Sequence, residues 1–403
     1  IMFYKKPISI IGLGYVGLPL AIMLANKFKI LGYDNNPKKV ELSISNLESQ
    51  RLKNLLKKNI QKRLFFLKKP KYSEVNFICV SSNDKNKSVV NDTNLSLKII
   101  KQIINDRKNF KKTILVLMST SQIGYSVKIE EFIKKKKLDK KFFFLYTPER
   151  IFPSNLYNEL IYNNRLIGND NKDSFNLIKR ILTTFVKGEI IDLDHKSAEL
   201  IKIIENTYRN VNIGFANELL RISMKENLDI KKILIYANQH PRVSILNPGI
   251  GIGGHCIPVD PKFLTARYKN IPLIKNSILT NDKQISFFSN KVIQFIKKNK
   301  VKSILFLGLA YKANVPDFRN SPSIELLKNI IDIGNINISV ADPFLKSKIF
   351  LGAEVINCND LNLDDYNFNF LLVPHKIFIN QLTQKSNLID LSGYLDYANI
   401  NSL

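Results

Sequence analysis

At 403 residues the chain is too long for one ordinary hydrophobic core, and roughly 150 residues per domain gives two or three domains. A hydrophobic fraction of 45% with 24% charged residues argues against a disordered chain, and three widely spaced cysteines (Cys79, Cys256, Cys358) without a CxxC pair argue against a disulfide framework or a structural zinc site. The net charge of +27 raises the prospect of nucleic acid, but the lysines are spread along the chain among equally abundant Asn and Ile, so a solvated basic surface is expected rather than a nucleic-acid partner.

No apolar run approaches the ~20 residues that span a bilayer, and Ile1 to Lys6 lacks the apolar stretch of a signal peptide, so a cytoplasmic protein without a membrane partner is expected. In chain order, Ile8 to Ile11 is a short apolar run that meets a glycine-rich turn, then a helical pattern from Leu18 to Lys27 and a strand-like Lys29 to Tyr33. That is a βαβ opening. Strands are predicted at Val75 to Val80, Thr113 to Met118 and Phe142 to Tyr146, alternating with Lys-rich helices. From Lys196 to Asn227 a helix uninterrupted by proline is predicted, about 45 Å long at 1.5 Å per residue. A Gly- and Pro-rich loop follows at Asn247 to Pro261. A second α/β unit then comprises strands Ser303 to Leu307, Ile338 to Ala341, Phe368 to Val373 and Asn387 to Asp390, with a helix at Pro322 to Ile331. The fold class expected is α/β, two Rossmann-like doubly wound domains (1–190 and 299–403) joined by a long central helix within a helical region, 191–298.

Gly12, Gly14 and Gly17 form GxGxxG directly after the first strand and at the opening of a helix. The first glycine permits the tight turn, the second lets backbone approach a pyrophosphate, and the third lets helix pack on strand, while the helix N-terminus offers N–H groups to the anion. The motif is weak alone. Asp34, 22 residues after Gly12 at the end of the second strand, strengthens it, because a carboxylate there accepts from both ribose hydroxyls and repels a 2′-phosphate. NAD is therefore expected over NADP, although Lys38 and Lys39 stand close by.

The segment Pro248 to Asp260 carries four glycines around one cysteine, Cys256. Taken alone, a lone Cys is more often a small buried hydrophobe, which suits Cys79 and Cys358. Glycines that strip side chains from around a thiol favour a reactive one instead. His255 is read as structural. On the long helix Lys202 and Asn206 are i and i+4, with Glu199 and Arg209 a turn to either side. Such a stripe is usually a solvated face, but a Lys and an Asn together also suit a developing alkoxide.

With these residues assembled, the chain resembles the UDP-glucose/GDP-mannose dehydrogenase family along nearly its whole length. The matching segments are Gly12-Leu13-Gly14-Tyr15-Val16-Gly17-Leu18-Pro19, Ser119-Thr120, Tyr146-Thr147-Pro148-Glu149-Arg150, Glu205-Asn206-Thr207-Tyr208-Arg209, Gly253-Gly254-His255-Cys256-Ile257-Pro258-Val259-Asp260, Gly308-Leu309-Ala310-Tyr311-Lys312 and Arg319-Asn320-Ser321-Pro322. Within the family, His240-Pro241-Arg242-Val243 and Pro148 to Pro153 look most like the members that act on UDP-N-acetyl-D-mannosamine, those acting on UDP-N-acetylglucosamine or UDP-glucose being the alternatives. The resemblance implies an NAD-dependent, four-electron oxidation of a sugar C6 alcohol to a carboxylate, as in surface polysaccharide biosynthesis, in a homodimer. It implies Cys256 as the covalent nucleophile, Lys202 and Asn206 as oxyanion stabilisers, Asp260 as proton relay through a water, and Thr120 with Glu149 as positioners of the hydrolytic water. It places the cofactor on Gly12, Gly14, Tyr15, Val16, Gly17, Asp34, Thr120 and Arg319, the last reaching the active-site cleft between domains. The substrate falls to Glu149, Arg150, Lys202, Asn206, Arg209, Arg242 (often donated across a dimer), Gly253 and Lys312, with UDP on the C-terminal domain and no metal.

Three positions depart from the family pattern. Met118 replaces a Glu before Ser-Thr, Ser81-Ser82 stands where Thr-Pro is common, and Ser154 replaces a Gly. None is a nucleophile or helper position. Single-hydride dehydrogenases built as a Rossmann plus a helical domain also place a Lys and an Asn on a helix, but they lack the cysteine loop and the second α/β domain. A non-catalytic nucleotide-sugar binder is the remote alternative, against which Cys256, Lys202 and Asp260 all stand intact.

Overall fold

The computed structural model describes residues 4–394 apart from 46, 48, 81–93, 107–110, 152–154, 335 and 383–386, so the departures at Ser81-Ser82 and Ser154 lie outside the described residues. The chain divides into two compact units, Ile1–Ile204 and Glu205–Leu403.

The first unit runs β1 (Ile8–Ile11), α1 (Gly17–Leu24), β2 (Ile30–Tyr33), α2 (Pro37–Ser45), α3 (Gln50–Asn59), β3 (Leu64–Leu67), β4 (Val75–Ile78), α4 (Asn94–Asn105), β5 (Thr113–Leu117), α5 (Tyr125–Lys135), β6 (Phe142–Tyr146), α6 (Leu156–Tyr162), β7 (Arg165–Asn169), α7 (Lys172–Leu182), β8 (Ile190–Leu193) and the start of α8 (His195–Lys225). Among the described residues eight strands form one sheet in the order β3-β2-β1-β4-β5-β6-β7-β8. All pairs are parallel except β6 with β7. β1, β4 and β5 are buried at every position, as parallel strands covered on both faces must be. Ile11 pairs with Tyr33 on one side and Ile78 on the other, so the chain leaves β1 at the point where strand order reverses, the place where such sheets bind ligands.

The apolar faces follow from helical spacing. α3 buries Leu52, Leu56 and Asn59, and Ser49 caps it by accepting from the Leu52 N–H at 3.3 Å. α7 buries Phe175, Ile178, Ile181 and Leu182. Two apolar clusters result, one around Leu18, Phe28 and Phe77, the other around Leu115, Ile129 and Tyr146.

The second unit takes the rest of α8, then α9 (Ile230–Ala237), α10 (Asp260–Arg267), α11 (Pro272–Lys298), β9 (Ser303–Leu307), α12 (Pro322–Ile331), β10 (Asn337–Ala341), β11 (Ile349–Phe350), β12 (Ala353–Val355), β13 (Phe368–Leu371), α13 (Lys376–Ile379) and β14 (Leu388–Asp390). Its sheet has the order β11-β12-β10-β9-β13-β14. Phe295 of α11 meets Phe368 at 4.7 Å between ring centroids, anchoring that helix to the sheet.

The two units share one backbone device. In the first, Gly12 (φ +92°) turns the chain after β1 and the Leu13 N–H donates to Asp34 Oδ2 at 2.8 Å. In the second, Gly308 (φ +92°) turns it after β9 and the Leu309 N–H donates to Asp342 Oδ2 at 2.8 Å. The carboxylates differ in what else they meet. Asp34 is half-buried, whereas Asp342 is fully buried against His375 at 3.2 Å. The second carboxylate is thereby committed to structure.

The expected fold class is borne out: two parallel-dominated α/β sheets, with a long helix running from one unit into the other. β3, β7, β8, β11, β12 and the 27-residue α11 were not predicted from the sequence.

Candidate active site

In the first unit, the fingerprint glycines are required by space. A Cβ at Gly12 would stand 2.6 Å from the Cys79 carbonyl oxygen, and one at Gly17 would stand 1.8 Å from the Gly12 oxygen. α1 is buried along its whole length, so the close helix–strand approach that Gly17 allows is what seats it. Asp34 is oriented by two backbone donors, Leu13 N–H to Oδ2 and Asn36 N–H to Oδ1 at 2.9 Å, and stays half-buried. Tyr15 is exposed beside this turn. The arrangement fits a dinucleotide: a close-packed glycine cradle, and a fixed carboxylate whose remaining lone pairs suit ribose hydroxyls.

Glu149 lies just beyond the end of β6 and is buried. Its Oε1 accepts from its neighbour's N–H at 2.9 Å and pairs with Arg165 of β7, while Oε2 is buried with no hydrogen-bond partner among the described residues. A buried orphan carboxylate oxygen calls for a ligand or a water. The Glu149 N–H donates to the Met118 oxygen at 3.4 Å, which sets Glu149 beside the Ser119-Thr120 turn after β5. Arg165 was missed from the sequence, since an arginine on a strand 16 residues away carries no local signal. Met118 packs its sulfur 3.6 Å from the Cys79 thiol, so the unusual residue is absorbed by core packing. Arg150 is half-buried and donates to the Asn164 oxygen at 3.2 Å.

α8 buries polar side chains beside Ala198, Ile203, Ala216 and Leu220, and leaves several large apolar ones exposed. Glu199, Lys202, Asn206, Asn210 and Asn217 are buried, whereas Leu200, Ile204, Tyr208, Phe215 and Ile222 are exposed. The charged stripe is therefore not a solvated face. Glu199 accepts from the N–H groups of Gly124 (2.5 Å) and Ser126 (2.7 Å) and from the Ser126 hydroxyl (2.6 Å), capping the start of α5. Burial raises its carboxyl above the usual range against the pull of these bonds.

In the second unit, Asn206 donates through Nδ2 to Asp260 Oδ2 at 2.6 Å. Asp260 opens α10, and its N–H donates to the Cys256 oxygen at 2.9 Å, so carboxylate and thiol sit one turn apart. Cys256 is exposed. Cys256 lies within electrostatic reach of Tyr311 and Arg319, and Asp317 holds the Arg319 guanidinium in a two-toothed pair, Nε donating to Oδ1 at 2.8 Å and Nη2 to Oδ2 at 2.5 Å. Burial and the Arg319 charge lower the His255 imidazole, keeping it neutral near pH 7, which suits the structural role expected of it.

The loop glycines are packed rather than merely flexible. A Cβ at Gly253 would stand 2.7 Å from the Tyr311 Cβ, and Gly254 (φ +80°) would bring one within 2.9 Å of the Tyr311 ring. Both ends of the loop are tied to helices by buried amides. Asn217 Oδ1 accepts the Gly249 N–H (3.0 Å), Gln284 Nε2 donates to the Gly249 oxygen (2.9 Å), and past the cysteine Asn210 Nδ2 donates to the Ile257 oxygen (3.3 Å). Sequence reasoning missed these residues. Lys312 follows Tyr311, Arg209 is half-buried on α8, and Arg242 is exposed ahead of the loop.

Sequence profiles of the UDP-glucose/GDP-mannose dehydrogenase family match in three consecutive pieces: its NAD binding domain over residues 6–186, its central domain over 196–283 and its UDP binding domain over 305–399. The chain belongs to that family. It is an NAD-dependent dehydrogenase of the UDP-sugar class. The UDP-N-acetyl-D-mannosamine dehydrogenase of Methanocaldococcus jannaschii is 36% identical over 356 residues, covering 86% of this chain and 81% of that one. An NDP-N-acetyl-D-galactosaminuronic acid dehydrogenase of Ralstonia nicotianae is 30% identical over 93% of this chain and 92% of its own. Among solved structures, the UDP-D-ManNAc dehydrogenase of Pyrococcus horikoshii superposes with a TM-score of 0.80 at 26% identity, over 96% of this chain and 95% of that one. The Gly12 turn and Asp34 lie within the stretch matched by the family's NAD binding domain. Among the described residues, no helix is long and apolar enough to cross a membrane.

Proposed function

We propose that the protein oxidises the C6 alcohol of a UDP-N-acetylhexosamine, UDP-N-acetyl-D-mannosamine, to the uronic acid through a covalent intermediate on Cys256. The observation that carries this reading is the exposed thiol of Cys256 in a packed glycine loop, with Asp260 one turn away and oriented by Asn206. The identity to the archaeal UDP-N-acetyl-D-mannosamine dehydrogenases supports the choice of sugar.

The roles follow from the chemistry of two oxidations at one carbon. NAD supplies the hydride acceptor for both. As C6 loses its first hydride, the hydroxyl proton leaves through a water held by Asp260, and Lys202 and Asn206 stabilise the developing alkoxide. The aldehyde adds to the Cys256 thiolate as a thiohemiacetal. Loss of the second hydride gives a thioester, and water, positioned by Thr120 and the free oxygen of Glu149, cleaves it to the acid and the thiol. Gly12, Gly14, Tyr15, Val16, Gly17 and Asp34 hold the cofactor, with Thr120 and Arg319 contributing. Arg150, Arg209, Gly253 and Lys312 hold the sugar nucleotide. The half-buried Asp34 favours NAD over its 2′-phosphorylated form.

The exposed apolar side of α8 supports a homodimer built on the 191–298 region, in which Arg242 is donated to the partner's substrate. A catalytic thiol, with none of the three cysteines in a disulfide, suits a reducing cytoplasm.

Following NADH with UDP-N-acetyl-D-mannosamine, UDP-N-acetylglucosamine and UDP-glucose in parallel tests the sugar, and Cys256→Ala tests the mechanism. The mannosamine derivative should give the highest kcat/KM, with two NADH per sugar. Cys256→Ala should lose at least about 10³-fold in acid formation while still binding NAD. Preference for UDP-glucose would sink the sugar assignment, and undiminished acid from Cys256→Ala would sink the mechanism.

A further inference from the structure

In the first unit, away from Asp34 and Glu149, three elements bring together side chains for which the dehydrogenase reading has no use. His195 begins α8, Glu130 lies on α5 and Asp170 follows β7, and one ligand atom from each lies within 4.8 Å of the others. His195 is 2% exposed. Its Nε2 stands 3.0 Å from Glu130 Oε1, and its Nδ1 is buried with no hydrogen-bond partner among the described residues, so outside this cluster the imidazole has none. On the other side Glu130 meets the Asp170 carboxyl.

The facing carboxyls call for something shared between them. Two carboxylates facing each other repel unless a proton or a cation is shared. The His195 Nε2 turned toward them donates to Glu130 when it carries the imidazole proton, and offers a lone pair to a cation when the proton is on Nδ1. A divalent cation relieves the carboxylate repulsion, because imidazole nitrogen and carboxylate oxygens are its preferred donors. Ligand atoms about 2.0–2.2 Å from a tetrahedral ion are about 3.3–3.6 Å apart, close to the 3.0 Å found here between Nε2 and Oε1. Asp170 is exposed, which leaves an entry path from solvent.

We propose that His195, Glu130 and Asp170 form a binding site for one divalent cation of the zinc class, completed by water. The ion pins the first residue of α8 to α5 and to the turn after β7. It takes no part in the oxidation.

Cobalt(II) titration of the EDTA-treated full chain tests this, because its visible spectrum separates N/O from thiolate ligation. The expected result is one equivalent bound without a thiolate charge-transfer band, a higher Tm with the metal, and both unchanged in Cys256→Ser. Asp170→Asn, a surface change that keeps the fold, should weaken binding at least about tenfold, as expected for loss of one of three protein ligands. His195→Gln should abolish it. Absence of stoichiometric binding, which would leave a shared proton as the link between the carboxyls, overturns the proposal. So does binding that disappears in Cys256→Ser or survives undiminished in Asp170→Asn.

Discussion

Cys79, Cys256 and Cys358 are chemically alike and differ in their surroundings. Burial and the nearby Glu149 charge push the Cys79 thiol far above its ordinary range, and burial with the Asp342 charge pushes Cys358 up to about 11. Cys358 fits the buried hydrophobe that the sequence suggested, and Cys79 is half-buried against the core. Cys256 is exposed and follows Gly251, Gly253 and Gly254, at each of which an added Cβ would clash. Beside it, Asn206 spends one amide proton on Asp260. Asn206→Ala is therefore expected to release the carboxylate as well as remove an oxyanion donor, lowering kcat about 10²-fold with the Kd for NAD unchanged in a fluorescence titration. An equal loss of NAD affinity would show a folding defect instead. At this scale the glycines, Asp34, Cys256 and Asp260 were legible because each stands in a local motif. The Glu149–Arg165 pair and the amides Asn217 and Gln284 were not, since their partners lie 16 to 35 residues away and nothing in an Asn or Gln announces burial.

Among the elements, β6 at Phe142–Tyr146, β9 at Ser303–Leu307 and α12 at Pro322–Ile331 have the ends expected from sequence, because apolar runs and a first-turn proline mark them. The four-residue strands β3 and β8 lie at the sheet edges; Asp192 breaks the apolar run of β8, and the unbroken Leu64–Leu67 of β3 is a short apolar run set between basic segments. α8 was found as a helix, but which of its polar side chains are buried could not be read from periodicity alone. The buried Asp342 gives the second sheet a pH dependence. Burial alone would raise its carboxyl, but His375 and the backbone donors outweigh it, and the folded pKa lies below the ordinary value. Its contribution is therefore fully present above the unfolded carboxylate value of about 4 and is lost as pH falls through the folded one. Between pH 6 and pH 3, Asp342→Asn should lose less stability in urea titrations than the parent chain does. Parallel curves would contradict the assignment.

At the scale of the whole molecule, one helix turns Tyr208, Phe215 and Ile222 outward, at 58%, 51% and 56% exposure, at a seven-residue spacing that places them on one side. A homodimer that covers it is expected to fall apart in Phe215→Glu, seen as a halved mass in sedimentation, and an unchanged mass would place the interface elsewhere. The lysines that supply the charge of +27 are scattered along the chain rather than gathered in one segment. The two α/β units and the helix running between them were legible from composition and motif order. The account as a whole rests on a sugar held covalently between two oxidations, and the most direct measurement is the mass of the Cys256 peptide after acid quench during turnover of UDP-N-acetyl-D-mannosamine with NAD. The account predicts a uronyl thioester on Cys256, more abundant in Glu149→Gln, where hydrolysis is slowed, and absent in Cys256→Ser. An unmodified Cys256 in Glu149→Gln, with acid still forming in Cys256→Ser, would contradict it.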